Sequence, residues 1–299
     1  MDQSPSQDNR LDAVKLLIIG NSGFLGSFLA SSHLGADFKI DSISRSQFDM
    51  SKPVSSEFNS FLKNCSYDYA VICSAVTDIE RCFLQEEESH QINVVGTIRL
   101  LDKLKENDVN PIFLSSDYVF KPSEIPRAED DERLPQTRYG QQKLLVEQYL
   151  EKNFERFLIF RTSKLMSQTV HTKNILLPVI QNLSNGAETR CFDNQWLNPV
   201  FIEDIAKALA MSCRQGLNGK FHLGTRQIFT RFELGHLLAE ALGADPDLIQ
   251  PLKMQEISFS EPRPNHNTLN CNKIESLGFK FTEITDVLDQ LRSLKQPLR

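Results

Sequence analysis

Tyr139 and Lys143 stand four residues apart in the run Tyr139-Gly140-Gln141-Gln142-Lys143. On a helix that spacing puts both side chains on one face. A free phenol has a pKa of about 10, and a neighbouring ammonium lowers it by favouring the phenolate. Such a pair is expected to pass a proton to or from a carbonyl or alcohol oxygen near neutral pH. A hydroxyl stands ready to assist. The apolar run Pro111–Ser115 leads into Ser116-Asp117-Tyr118-Val119-Phe120, and a hydroxyl at the carboxyl end of a parallel strand faces the crevice where ligands bind. Ser116 is therefore expected to donate a hydrogen bond to the substrate oxygen.

The second constellation is Gly20-Asn21-Ser22-Gly23-Phe24-Leu25-Gly26, a GxxGxxG spacing set between an apolar run and an amphipathic one. The first glycine permits a sharp turn, and the second lets backbone approach a pyrophosphate. The third lets a helix pack tightly on a sheet, while that helix's N-terminus offers amide donors to the phosphates. The loop is read as a nicotinamide-dinucleotide site. Where an NAD-preferring site would present an acid to the ribose, this chain has Ser42-Ile43-Ser44-Arg45-Ser46. A guanidinium at Arg45 suits the 2′-phosphate of NADPH, which is expected in preference to NADH.

These groups need a frame. Val14–Gly20 and Tyr69–Cys73 are short apolar runs of the kind buried on both faces of a parallel sheet, and Phe38–Ser44, Pro111–Ser115 and Phe157–Arg161 read as further strands. Helical segments alternate with them over Phe24–Leu34, Ser55–Lys63, Glu86–Glu106 and Tyr139–Asn153. The alternation predicts an α/β fold with a doubly wound parallel sheet, the Rossmann arrangement. After Arg161 the rhythm is lost. A helix over Phe201–Cys213, a strand over Lys220–Leu223 and a helix over Thr230–Leu242, capped by Thr230 and Gly243, stand among Pro-rich irregular stretches. The expected division is a disordered tail over 1–13, a dinucleotide-binding domain over 14–164 plus 200–225, and a smaller substrate-binding lobe over 165–199 plus 226–299.

Composition narrows the class. With 299 residues, 40% hydrophobic and 24% charged, the chain has the make-up of a globular protein. A net charge of −6 argues against nucleic acid as a partner. No apolar run approaches the roughly 20 residues that span a bilayer. The polar start lacks the features of a signal peptide, so a cytoplasmic protein is expected. The six cysteines are scattered and read as reduced thiols. The acidic run Glu86-Glu87-Glu88 reads as a solvated helix start, and no metal site is expected.

Taken together, GNSGFLG, LSSDYVF and YGQQK resemble the extended short-chain dehydrogenase/reductase family, closest to its dTDP-4-dehydrorhamnose reductase branch. Phe160-Arg161-Thr162-Ser163 resembles that branch's LRTS segment. Arg263-Pro264 with Asn267 to Leu269 resembles its C-terminal stretch. The resemblance spans Lys15 to Phe281. It implies an NADPH-dependent reductase of a 4-keto-6-deoxy nucleotide sugar. Tyr139 would be the acid, Lys143 its partner and ribose anchor, and Ser116 the helping hydroxyl. It further implies that Ser74-Ala75-Val76 line the cofactor, that Asp49-Met50 meet the adenine, and that Asn93 supports the active site. Asp117 and Tyr118 would touch the sugar, and Arg263 the diphosphate. A homodimer is the assembly to test. One position departs: where the branch carries an aromatic after RTS, this chain has Lys164, followed by Leu165 and Met166.

Two other functions fit the same residues. The regulatory beta subunit of methionine adenosyltransferase resembles this branch and implies a non-catalytic NADP-binding partner protein. An epimerase or dehydratase uses the same Tyr and Lys, but a dehydratase needs an Asp-Glu pair where this chain has Asp117-Tyr118.

Overall fold

The computed structural model describes residues 13–32, 34–168 and 177–293. Apart from Ala13, the segment expected as an N-terminal tail lies outside them. The central sheet has six parallel strands: β1 (Val14–Ile19), β2 (Phe38–Ile43), β3 (Tyr69–Ile72), β4 (Asn110–Ser116), β5 (Leu158–Thr162) and β6 (Gly219–Leu223). Their order across the sheet is β2-β1-β3-β4-β5-β6. This is the doubly wound sheet expected from the alternation. The chain reverses its winding between β1 and β3, so a crevice opens there at the strands' carboxyl ends.

Side-chain alternation explains the unbroken apolar runs. Leu16 and Ile18 of β1 enter one core, and Leu17 and Ile19 enter the other. Val71 and Ile112 follow the first pair, while Ile72 and Phe113 follow the second. Consecutive residues point to opposite faces, and helices cover both along the inner strands, whereas Lys39 and Asp41 of the edge strand β2 are exposed. One core takes Leu25 and Leu29 of the Phe24–Ser31 helix and Ile205 and Leu209 of the Ile202–Gln215 helix. The other takes Phe58, Leu100 and Val146 from the helices Ser56–Cys65, Thr97–Glu106 and Arg138–Asn153.

A third core lies beyond the sheet, where Met166, Ile180, Leu183, Leu234, Leu238 and Ile284 pack together. Its central helix, Arg231–Leu242, has the expected ends. Thr230 accepts from the Glu233 amide at 3.1 Å, Glu233 accepts from the Thr230 amide at 2.8 Å, and Gly243 closes the helix at φ +69°. Leu269, Ile274 and Phe279 instead join the first core beneath the sheet.

The helix expected over Glu86–Glu106 is not uniform. Gln91–Gly96 form a wide π turn between the helices Glu86–His90 and Thr97–Glu106. Ile92, Asn93, Val94 and Gly96 are all buried there, more than one α-helical stripe can bury, and the wider turn accommodates them.

Beneath the carboxyl ends of β4 and β5 lies an ion pair with no solvent exposure on either partner, Glu147 and Arg161. Arg161 donates to Glu147 through Nε at 2.9 Å and Nη2 at 2.8 Å, and the Ser115 hydroxyl donates at 2.5 Å. Arg133 adds a bond at 3.0 Å from a less buried position. The remaining Arg161 nitrogen donates to the Glu129 carbonyl at 2.8 Å and lies 3.2 Å from His222 Nε2. Burial and the Arg161 charge hold His222 down to about 3, so the ring is neutral and Nε2 can accept. Replacing Arg161 strands a buried carboxylate. Arg161→Met is expected to cost about 3 kcal/mol or more in urea unfolding. Adding Glu147→Leu should recover most of that loss, and additive losses in the double variant would contradict this account.

Candidate functional site

Two cavities open along the crevice and share Gly23, Cys73, Ala75 and Thr77. The first, of about 360 Å³, is bordered by Gly20, Ser22, Arg45, Asp49, Met50 and the run Ser74–Val76. The second, of about 380 Å³, is bordered by Phe24, Leu25, Gly26, Ser116, Tyr139 and Lys143, with Asp117, Tyr118 and Lys164. Together they form one elongated space of the size that small ligands and cofactors occupy. Every residue singled out for cofactor or proton transfer lies on it.

The glycine loop shapes the join. Gly20 has φ +96°, and a side chain there would strike Ser74, while one at Gly26 would strike the Gly20 carbonyl. Gly23 has only the Gly20 carbonyl nearby, at 3.7 Å. The loop is thus held tight on its sheet side and left open toward the cavity, which suits the approach of a phosphate. Arg45 stands at the outer end, two-thirds exposed, with Asp49 at 3.5 Å. A Ser51 amide and hydroxyl hold the Asp49 carboxyl below its usual range, with Arg45 adding to the effect.

Asn93, from the π turn, fixes the wall between the cavities. Its amide accepts from Val76 N at 2.7 Å and donates to Val76 O at 2.9 Å and to Gln142 at 2.7 Å. It therefore ties the loop after β3 to the residue beside Lys143. Ser115 and Ser116 separate by strand alternation: the Ser115 hydroxyl is held by Glu147, whereas Ser116 donates to Asp117 at 2.7 Å. The Ser116 oxygen also receives the Tyr118 amide at 3.3 Å.

Electrostatics differ from the expectation at Tyr139. Burial raises its pKa, the Asp117 charge raises it further, and the Ser116 hydroxyl opposes them. Lys143 does not reverse this. Its ammonium donates to the Leu114 carbonyl at 2.8 Å and lies 5.7 Å from the Tyr139 ring centre. Burial pulls Lys143 itself down to about 8. The phenol is therefore a proton-holding acid at neutral pH, the form that protonating a carbonyl oxygen requires. Asp117 is pushed up to about 6 by burial, against the pull of Lys164. Lys164 is lowered by burial and raised by Asp117, and its ammonium lies 5.3 Å from the Tyr118 ring centre.

Arg263 meets the other predicted residues at Tyr118, to whose phenol it hydrogen-bonds. It borders neither cavity, and its guanidinium donates to Glu80 at 2.6 Å while packing on Phe259. Thr77, Asp78 and Arg81 border the first cavity without having been singled out, because no local pattern marks them. The Glu147–Arg161 pair did leave a signal: an arginine ends the otherwise apolar run Phe157–Arg161.

The raised Asp117 pKa makes its ionised form a burden of about 3 kcal/mol on the folded state. Asp117→Asn is expected to stabilise the protein at pH 7. Below about pH 4 the carboxyl is neutral whether folded or not, so the gain vanishes. It grows between about pH 4 and 6, where only the unfolded chain has released the proton, and is constant above that. Chemical unfolding across this range checks it, and a gain independent of pH would contradict the burial of charge.

Comparison with known proteins agrees with this geometry. The family model described as RmlD substrate binding domain matches residues 14–293. The dTDP-4-dehydrorhamnose reductase of Mycobacterium tuberculosis (strain H37Rv) is 26% identical over 266 residues, covering 87% of this chain and 86% of its own. Methionine adenosyltransferase 2 subunit beta of Danio rerio is 25% identical over 195 residues, covering 63% of this chain and 60% of its own. The structure of dTDP-4-dehydrorhamnose reductase from Bacillus anthracis in complex with NADP superposes with a TM-score of 0.86 at 18% identity, covering 95% of this chain and 100% of that one. With a match running from β1 to the last described helix, the chain belongs to the RmlD substrate-binding-domain family.

Proposed function

We propose that the protein is an NADPH-dependent reductase of a 4-keto-6-deoxy nucleotide sugar, of the dTDP-4-dehydrorhamnose type. The observation that carries the reading is the convergence of Tyr139, Lys143 and Ser116 on a cavity continuous with that of the glycine loop. The tight sheet side and open cavity side of that loop fit a dinucleotide. Gly20, Gly23 and the amides of the following helix would hold its pyrophosphate, Ser74-Ala75-Val76 its flank, and Asp49-Met50 its adenine. NADPH, when bound, supplies the hydride.

The chain's own residues supply orientation and the proton. Ser116 and Tyr139 donate to the keto oxygen, and Tyr139 gives up its proton as charge develops there. Lys143, held at the Leu114 carbonyl, stabilises the resulting phenolate and positions the cofactor ribose. Asn93 and Gln142 hold the surrounding wall in place. Asp117 and Tyr118 face the sugar across the second cavity, and Arg263, released from Glu80, is the group for the diphosphate.

A second reading rests on the likeness to the methionine adenosyltransferase beta subunits. There the dinucleotide would serve a partner-binding role, and co-purification with a synthetase without NADPH consumption on any keto sugar would favour it.

Absorbance of NADPH, followed with dTDP-4-keto-6-deoxy sugars, tests the reductase. Tyr139→Phe is expected to lower kcat at least about 100-fold while leaving cofactor affinity nearly unchanged. Full turnover by that variant would end the assigned role. Arg45→Ala should raise KM for NADPH about tenfold and leave that for NADH unaltered; equal effects on the two cofactors would refute a 2′-phosphate contact.

A further inference from the structure

Beyond Tyr118 the substrate cavity continues into a recess of about 10 Å³, with Asp117, Tyr118 and Lys164 common to both spaces. That volume holds one oxygen atom, a hydroxyl or a water. Gln195, Trp196, Leu197, Pro264 and Asn267 complete its walls. The two amides are 7% exposed, and their orientations are set by their nitrogens. Gln195 donates to the Pro264 carbonyl at 3.4 Å, and Asn267 to the Asp117 carbonyl at 3.2 Å. With the nitrogens so engaged, Gln195 Oε1 and Asn267 Oδ1 are left without a donor among the described residues. A buried acceptor without a donor is costly, and a group that brings a hydrogen into this oxygen-sized space relieves one of the two. Lys164 offers the complementary donor from the cavity side.

We propose that Lys164, Gln195 and Asn267 form a single-hydroxyl subsite that makes this enzyme select nucleotide sugars bearing a ring hydroxyl at the position that reaches the recess. The inference rests on the reductase reading and adds the substrate feature it demands. The hydroxyl donates to one amide oxygen and accepts from the Lys164 ammonium, so it is satisfied in both senses. Trp196, stacked on His266 at 5.8 Å, forms the apolar wall. A sugar deoxygenated at that carbon gives up the burial of these polar groups without compensation. Sites built to bond a hydroxyl reject such analogues strongly. Lys164 is thereby a specificity-determining residue and takes no part in proton transfer.

Trp196 is the only tryptophan in the chain, so its fluorescence reports the recess directly and without turnover. The full-length protein saturated with NADP+ is titrated with dTDP-rhamnose and with its 2-deoxy and 3-deoxy counterparts. Calorimetry gives the affinities, and NADPH assays are run on the matching 4-keto sugars. One deoxy analogue is expected to bind about 100-fold more weakly than the parent, and the other about equally. Lys164→Met and Gln195→Met should weaken the parent to the level of that analogue while leaving the analogue's own affinity unchanged, a selectivity that a purely structural defect would not give. Equal binding and turnover of all three sugars by the native protein overturns the subsite and leaves the reductase standing. Binding of none of them overturns both.

Discussion

The Glu147 carboxylate has no contact with solvent and is surrounded by the Arg161 fork, the Ser115 hydroxyl and the Arg133 guanidinium. These partners come from β5, from the end of β4 and from the segment before the Arg138–Asn153 helix, with Glu147 on the helix itself. One carboxylate therefore sets the relative position of three elements. Lys143 is one turn before it on the helix. Ser116 is one residue beyond Ser115, and so turned to the opposite side. Thr162 to Lys164 follow directly from Arg161 into the substrate cavity. A buried ion pair adds little net stability over apolar residues of similar volume. Its effect here is to penalise any shift of helix against strands, since a displaced partner leaves a charge without compensation in a low-dielectric interior.

Above that anchor, burial pushes every titratable group of the substrate cavity toward its neutral form. Tyr139 and Asp117 are raised, and Lys143 and Lys164 are lowered. Three of them are coupled: Asp117 raises Tyr139 and is itself pulled back by Lys164. A proton-holding phenol is of no use to a base seeking to oxidise an alcohol, but it is the acid needed when a carbonyl oxygen gains charge. The expected Tyr–Lys coupling is weak because the ammonium faces the Leu114 carbonyl.

How far the sequence discloses this depends on the range of each signal. The five strand segments and the glycine spacing are local signals, and the sheet followed from the alternation of those strands with helical segments. Thr230 and Gly243 were legible as helix ends for the same reason, each acting within one turn. The π turn was not, since it answers to the packing of Asn93 against Val76 and Gln142, contacts made across 17 and 49 residues. The direction of the Tyr139 pKa was also out of reach, because the helix supplies its ammonium locally whereas burial and Asp117 are properties of the assembled cleft. Arg263 matched a motif, yet its guanidinium is engaged by Glu80, 183 residues away in sequence.

The same difference in range separates the chemistry of the site from its selectivity. Ser116, Tyr139 and Lys143 lie on a strand end and a helix that Glu147 locks together, so their geometry tolerates little change. The far side of the substrate cavity is built otherwise. The Gln195 and Asn267 side chains are each held by one amide-to-carbonyl bond, of 3.4 Å and 3.2 Å, which is replaceable without stranding a charge. Lys164 joins the two halves: its backbone continues β5, and its side chain reaches toward Asp117, Tyr118 and the recess. On the proposed reading, a substitution at that position alters which sugar is accepted while Tyr139 and the glycine loop stay where they are. Position 164 is thus the one at which a change of substrate would disturb that frame least.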